Sequence, residues 1–277
     1  GFVIYLSLEK TNNLKQFAVS RFARLYPAYW AAVILTFTAV LIFGLDGREV
    51  SYFVMLINLT MFQGFIGISS VDGVYWSLFV ELRFYLIIAI LYFILPKKGF
   101  LVSFLFLITF TLLFKYIQVL EPSNFTIKLI NLGLSSDYLH FFGAGIGFYL
   151  FYNKKNVVIS SLLILISLLH NFVFINGIEL IIISSFYMIF ILLISGKLGF
   201  LNRRVFVYFG SISYSLYLTH QNIGYIIINY CYEYNISPYM SITLAFITSV
   251  FISNYFSKLF ERTLSKQLKK RLNSYVN

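Results

Sequence analysis

The sequence predicts an all-α polytopic membrane protein, and three observations predict it. Hydrophobic residues make up 60% of the 277 and charged residues only 11%, against roughly 25% charged in soluble domains. Such a chain cannot present a solvated surface all round, and its mean hydropathy of +0.84 agrees. Apolar runs of the ~20 residues that cross a bilayer as a helix recur along it, without the alternation of barrel strands. The basic residues gather in alternate loops, as membrane topology requires. The net charge of +11 is therefore assigned to topology and not to nucleic acid. Cys231 is the only cysteine, which excludes an intrachain disulfide.

Taken in order, residues 1–8 are expected to be the tail of a helix that begins upstream, and residues 9–24 a polar loop carrying Lys10, Lys15, Arg21 and Arg24. The first full span is predicted from Pro27 to Gly44, ending at the turn Asp46-Gly47-Arg48-Glu49. Residues 50–62 are apolar but too short to cross, and 63–73 are rich in glycine and serine. Together they suggest one re-entrant or interfacial segment. Further spans are predicted over 74–95, 100–120, 138–152, 157–173, 178–194, 205–230 and 239–260, which makes eight, before a tail with Arg262, Lys266, Lys269, Lys270 and Arg271. Lysine and arginine dominate every second loop. The loops between hold Asp46, Glu49, Asp72, Glu121, Asp137, Glu179 and Glu233 with only Arg48 and Lys128. Both ends of the chain are thus expected on the cytoplasmic side.

Two stretches carry the chemistry. In Arg21-Phe22-Ala23-Arg24-Leu25-Tyr26-Pro27 the arginines stand about one helical turn apart, so both guanidiniums can address one ligand. A guanidinium fork suits phosphate or carboxylate, although the same residues also serve as an ordinary cytoplasmic anchor. Pro27 suits the first turn of a helix. In Val74-Tyr75-Trp76-Ser77-Leu78-Phe79-Val80-Glu81-Leu82-Arg83 the hydroxyl of Ser77 and the carboxylate of Glu81 share a helical face, and Trp76 suits the membrane interface. Glu81, Arg83 and Lys115 are charges inside predicted spans, where they are costly and face a cavity or a partner. A Glu81–Lys115 ion pair holding helices in register is the structural alternative. His140, His170 and His220 lie on separate helices without short ligand spacing, so no metal site is expected.

Both stretches resemble the signature segments of the acyltransferase 3 family, bacterial membrane proteins that O-acylate cell-surface glycans. Gly1–Ile4 looks like the end of that family's second helix. Phe141-Phe142-Gly143-Ala144-Gly145 resembles its glycine-containing middle helix, and Gly210–His220 its late Ser-Tyr-…-His segment. The resemblance covers residues 1–277 as a single membrane-embedded domain, lacking the first helix and most of the second of a ten-helix pattern. It departs at Glu261-Arg262, which the family often follows with proline and this chain with Thr263.

The resemblance implies transfer of an acyl group, acetyl above all, from cytoplasmic acetyl-CoA to a hydroxyl of a cell-surface or exported polysaccharide or its lipid-linked precursor. It places the enzyme in the bacterial inner membrane, with acyl-CoA as co-substrate and no bound cofactor. Arg21, Arg24 and Tyr26 would hold the donor, and Trp76, Ser77 and Arg83 would line the pocket. Glu81 would orient the catalytic base, a histidine expected upstream of this chain, and His220 would act near the acceptor. The rival readings are a transporter or flippase of a lipid-linked or anionic substrate and a non-catalytic relative that binds glycan or acyl-CoA. No internal inverted repeat favours the transporter.

Overall fold

The structure, a computed structural model, describes residues 1–134 and 136–274, without the side chains of residues 97 and 98. Helices dominate the described residues, and there is no strand among them. A polar turn separates α1 (Phe2–Glu9) from α2 (Leu14–Phe43). Asn13 Oδ1 accepts the Gln16 N–H at 2.8 Å, and Gln16 Oε1 accepts the Asn12 N–H at 3.1 Å. This reciprocal cap starts α2 at Leu14. The sequence reading is corrected here. Arg21 and Arg24 sit inside a 30-residue helix and not in a loop, and Pro27 is internal to it. Proline lacks an N–H, so the Ala23 carbonyl loses its i+4 donor, a defect that membrane helices tolerate.

Seven residues long, α3 (Tyr52–Asn58) is too short to cross. Single 3₁₀ turns at Gln63–Ile66 and Gly73–Tyr75 lead into α4 (Trp76–Ile94). Then follow α5 (Lys97–Leu120), α6 (Phe125–Leu134), α7 (Ser136–Tyr152), α8 (Val157–Phe174), α9 (Gly177–Ile194), α10 (Arg204–Thr219), α11 (Gln221–Glu233) and α12 (Pro238–Phe256). A π-helical segment, Ser257–Leu264, joins α12 to α13 (Ser265–Asn273).

Among the described residues, six helical stretches are long and apolar enough to cross a membrane: Leu14–Phe43, Gly73–Ile94, Gly99–Leu120, Val157–Phe174, Gly177–Ile194 and Pro238–Asn273. The other two of the eight predicted spans differ. α7 has 17 residues, most of them buried in protein. The run 205–230 is not one helix, because it breaks at His220 into α10 and α11.

The chain forms two compact units, Gly1–Phe17 with Val80–Leu201, and Ala18–Phe79 with Asn202–Asn277. In the first, α7 is the central helix and packs on α1, α5, α8 and α9. Glycine makes this possible. A Cβ on Gly147 would stand 2.8 Å from Ile164 Cγ1 and 2.9 Å from the Ser160 carbonyl oxygen, and one on Gly145 would stand 2.9 Å from Gly1 Cα. Small residues let helix backbones approach closely in membranes, and the Ser160 hydroxyl uses that approach to donate to the Gly147 carbonyl at 2.9 Å. Phe84 stacks on Phe142 with centroids 4.0 Å apart.

Lys115 pairs with Asp137, and Asn131 donates to the same carboxylate at 2.8 Å. The expected Glu81–Lys115 pair is therefore corrected, since the acidic end of α7 supplies the nearer partner. His140 and His170 are buried, with rings stacked 3.9 Å apart, and His140 Nε2 lies 2.9 Å from Asn171 Oδ1.

Replacing Gly147 with alanine forces the Ser160 backbone and Ile164 apart, an overpacking strain of about 1–3 kcal/mol. Thermal unfolding in detergent is expected to show a lower midpoint for Gly147→Ala than for Gly133→Ala, whose added Cβ meets open space.

Candidate functional site

In the second unit, one face of α2 anchors the segment after α3. Tyr29 donates its hydroxyl to the Asn58 carbonyl at 2.8 Å, Trp30 its indole N–H to Leu59 at 2.8 Å, and Tyr26 its hydroxyl to Thr60 at 2.9 Å. Three consecutive carbonyls at the end of α3 are thereby satisfied by consecutive turns of α2. Asn58 is fully buried and ties the loop from inside. Its amide donates to Val54 and Ser69 at 2.9 Å each, and its oxygen accepts the Val71 N–H at 3.1 Å.

The chain then reaches Asp72, a fully buried carboxylate. One oxygen accepts the Val74 N–H at 3.3 Å and caps the 3₁₀ turn, and the other accepts the Asn222 N–H at 3.2 Å. An uninterrupted helix would send the Asn222 N–H to the Leu218 carbonyl. That carbonyl instead takes the Tyr75 hydroxyl at 3.2 Å. Asp72 and Tyr75 thus open one rung of the helical ladder, which is why the predicted span 205–230 is broken. The Asn222 amide returns to the Val71 carbonyl at 3.0 Å and locks the joint. Burial pushes the Asp72 carboxyl above its ordinary value, opposed by the two N–H bonds and by the nearby Arg48 guanidinium.

His220 stands at this break and is exposed. Its Nδ1 lies 3.0 Å from the carbonyl oxygens of both Leu216 and Tyr217. Two acceptors require that Nδ1 carry the proton, so the neutral ring keeps its lone pair on Nε2. Nearby, Ser77 hydrogen-bonds Tyr217, and both hydroxyls reach the Val74 carbonyl. Trp76 is 51% exposed.

Of the predicted donor residues, Arg21 and Arg24 lie one turn apart on α2, Arg24 exposed and Arg21 partly buried. The Tyr26 hydroxyl is committed to Thr60, and its ring stacks on Phe22 at 4.3 Å, so this side chain also fixes the loop on α2. Glu81 and Arg83 belong to the first unit. There Glu81 accepts the Tyr85 hydroxyl one turn on, and the Arg83 guanidinium donates to the Leu132 carbonyl of α6.

Glu261 accepts both the N–H and the hydroxyl of Ser215, and Arg262 donates to the Ser211 hydroxyl at 3.0 Å. Thr263 continues the helix where the family pattern often has a proline. Its hydroxyl donates to Lys258 at 2.9 Å, five residues back, in the π-helical spacing.

Sequence reasoning missed Asn58, Asp72, Asn222 and Glu261 as organising residues. The available signal was a lone amide or carboxylate beside an apolar run, where an unpaired polar group is too costly to keep.

The raised carboxyl of Asp72 gives a signed expectation. The native state holds that proton more tightly than the unfolded chain, so stability falls as pH rises from about 4 through the raised native value. Melting temperatures in detergent against pH are expected to show this decline in the wild type and a flatter profile in Asp72→Asn. Asp72→Ala, which leaves two N–H groups without acceptors, loses about 1–3 kcal/mol at every pH.

A family model described as an acyltransferase domain matches residues 1–258. No curated protein and no solved structure matches the chain. The match covers most of both compact units and contains both signature stretches, Arg21–Pro27 and Trp76–Tyr85. The chain therefore belongs to the acyltransferase 3 family, as a multi-pass α-helical membrane protein.

Proposed function

We propose that this protein is an O-acetyltransferase of the bacterial inner membrane, with both ends of the chain cytoplasmic. It moves acetyl from cytoplasmic acetyl-CoA to a hydroxyl of a cell-surface or exported polysaccharide, or of its lipid-linked precursor. The observation that carries the reading is the arginine pair of α2, two guanidiniums one turn apart within a chain of acyltransferase family. The phosphates of coenzyme A are the part of the donor that such a pair recognises best.

In the reaction the acceptor oxygen attacks the thioester carbonyl and a tetrahedral oxyanion forms. A base takes the hydroxyl proton during the attack; the carbon–sulfur bond then breaks and the base returns that proton to the departing sulfur, so that coenzyme A leaves as the thiol. The family resemblance implies a histidine as that base. Within this chain, Glu81 is assigned to orienting the base, with the Tyr85 hydroxyl holding its carboxylate. His220 offers its Nε2 lone pair to an acceptor hydroxyl, because the proton of the neutral ring is held on Nδ1. Trp76, Ser77 and Arg83 are assigned to the pocket lining. The Ser77 hydroxyl is held by Tyr217, which suits it to positioning and not to nucleophilic attack.

Mass spectrometry of surface glycans from cells with and without the complete gene tests the reading. Acetyl groups that vanish with the gene and return on complementation support it. Unchanged acetylation, with a lipid-linked sugar accumulating on the inner leaflet, favours a flippase. With purified protein, Arg21→Ala and Arg24→Ala are each expected to weaken acetyl-CoA binding about 10- to 100-fold, as for loss of a hydrogen bond to a charged group. Membrane insertion should be unchanged. Glu81→Gln is expected to lower turnover with donor binding intact, and normal turnover in that variant would reduce Glu81 to a structural role.

A further inference from the structure

Within the second unit, α2 and the C-terminal helices enclose a groove of about 760 Å³. Its walls are two single helix faces. Pro27, Ala31, Ile34 and Thr38 follow one another at three- and four-residue steps on α2. Opposite them, Phe260, Leu264 and Leu268 repeat every four residues through the π-helical segment into α13. Apart from Thr38 at the far end of the α2 wall the lining is mostly apolar, and at the other end α13 contributes Gln267 and Arg271.

Length, shape and charge together point to an occupant. From Pro27 to Thr38 the α2 wall rises about 16 Å at 1.5 Å per residue, close to the roughly 15 Å depth of one leaflet of a 30 Å hydrocarbon core. The groove is open along its side, with Ile34 52% and Leu264 43% exposed, so a chain can enter laterally. Lys269 Nζ donates to Ser20 Oγ at 3.2 Å, which sets the basic end of α13 beside the start of α2, where Arg24 is exposed. Lys266, Lys270 and Arg271 stand on the same short helix. We infer that this groove is a binding site for an anionic phospholipid, with one acyl chain between α2 and α13 and the headgroup phosphate on Arg271. A guanidinium takes two phosphate oxygens at once, and clustered basic residues at a membrane surface attract acidic headgroups. The inference rests on the groove alone and needs no acyl transfer.

The full chain in detergent is titrated with dioleoyl-phosphatidylglycerol and, separately, with dioleoyl-phosphatidylcholine, and bound lipid is counted by native mass spectrometry. The wild type is expected to retain phosphatidylglycerol at least tenfold more tightly. Arg271→Gln, a change on an exposed helix, is expected to remove that preference while phosphatidylcholine binding stays the same. Ala31→Trp fills the groove and is expected to weaken both lipids. Equal retention of the two lipids by the wild type overturns the proposal, as does an undiminished preference in Arg271→Gln. Displacement of phosphatidylglycerol by palmitoyl-CoA at equimolar concentration, with no effect of acetyl-CoA, would also overturn it and assign the groove to a long-chain donor. Failure of the acetyltransferase reading leaves these lipid measurements unaffected, so the two fail separately.

Discussion

The second unit depends on one carboxylate. Asp72 is buried where the loop from α3 ends, and its two oxygens are the acceptors for a backbone N–H on either side: Val74, which opens the path into α4, and Asn222, in the first turn of α11. A buried carboxylate is expensive unless hydrogen-bonded, so both contacts are obligatory once the loop closes. Their effect reaches further than their number. By taking the Asn222 N–H out of the helical ladder, Asp72 sets where α10 stops, and it therefore sets where His220 is displayed. The Tyr75 hydroxyl completes the exchange by satisfying the carbonyl left behind. Helix break, exposed imidazole and loop closure are three readings of the same hydrogen-bond substitution.

The fold class was legible in the sequence because composition and span length act through bulk solvation, and local detail cannot overrule them. Most span boundaries followed, to within a few residues. What escaped was decided by long-range hydrogen bonds. Nothing local in residues 205–230 marks the break, since the groups that cause it lie some 150 residues earlier. Likewise Arg21 and Arg24 read as loop residues because polar side chains interrupt the apolar pattern. The cap at Asn13 nonetheless starts the helix well before them, and Pro27 does not stop it. The short helix α6 had no apolar run long enough to register.

The candidate site residues divide by how their chemistry could be read. The arginine pair needed only spacing. The tautomer of His220 needed coordinates, because two carbonyl oxygens of its own preceding turn assign the ring proton. Tyr26 belongs to a motif expected to touch the donor, yet its hydroxyl is tied to Thr60 in a row with Tyr29 and Trp30. A motif residue can therefore act by holding the scaffold beneath the arginines that share its helix.

The π-helical stretch at Ser257–Leu264 sets the phase of everything after it. Such a segment accommodates an added residue within a helix, and here side-chain hydroxyls five residues apart from their carbonyls secure it, from Thr263 to Lys258 and from Ser265 to Phe260. Winding the same residues as an ordinary α-helix, with none removed, would turn α13 by about 100°, the rotation of one residue. Leu264 and Leu268 would leave the face they share with Phe260, and the basic residues would turn to a new azimuth. The direction of the C-terminal helix thus hangs on the winding of this segment and not only on its composition: an exchange of its five-residue hydrogen bonds for four-residue ones, at constant length, reorients the whole of α13.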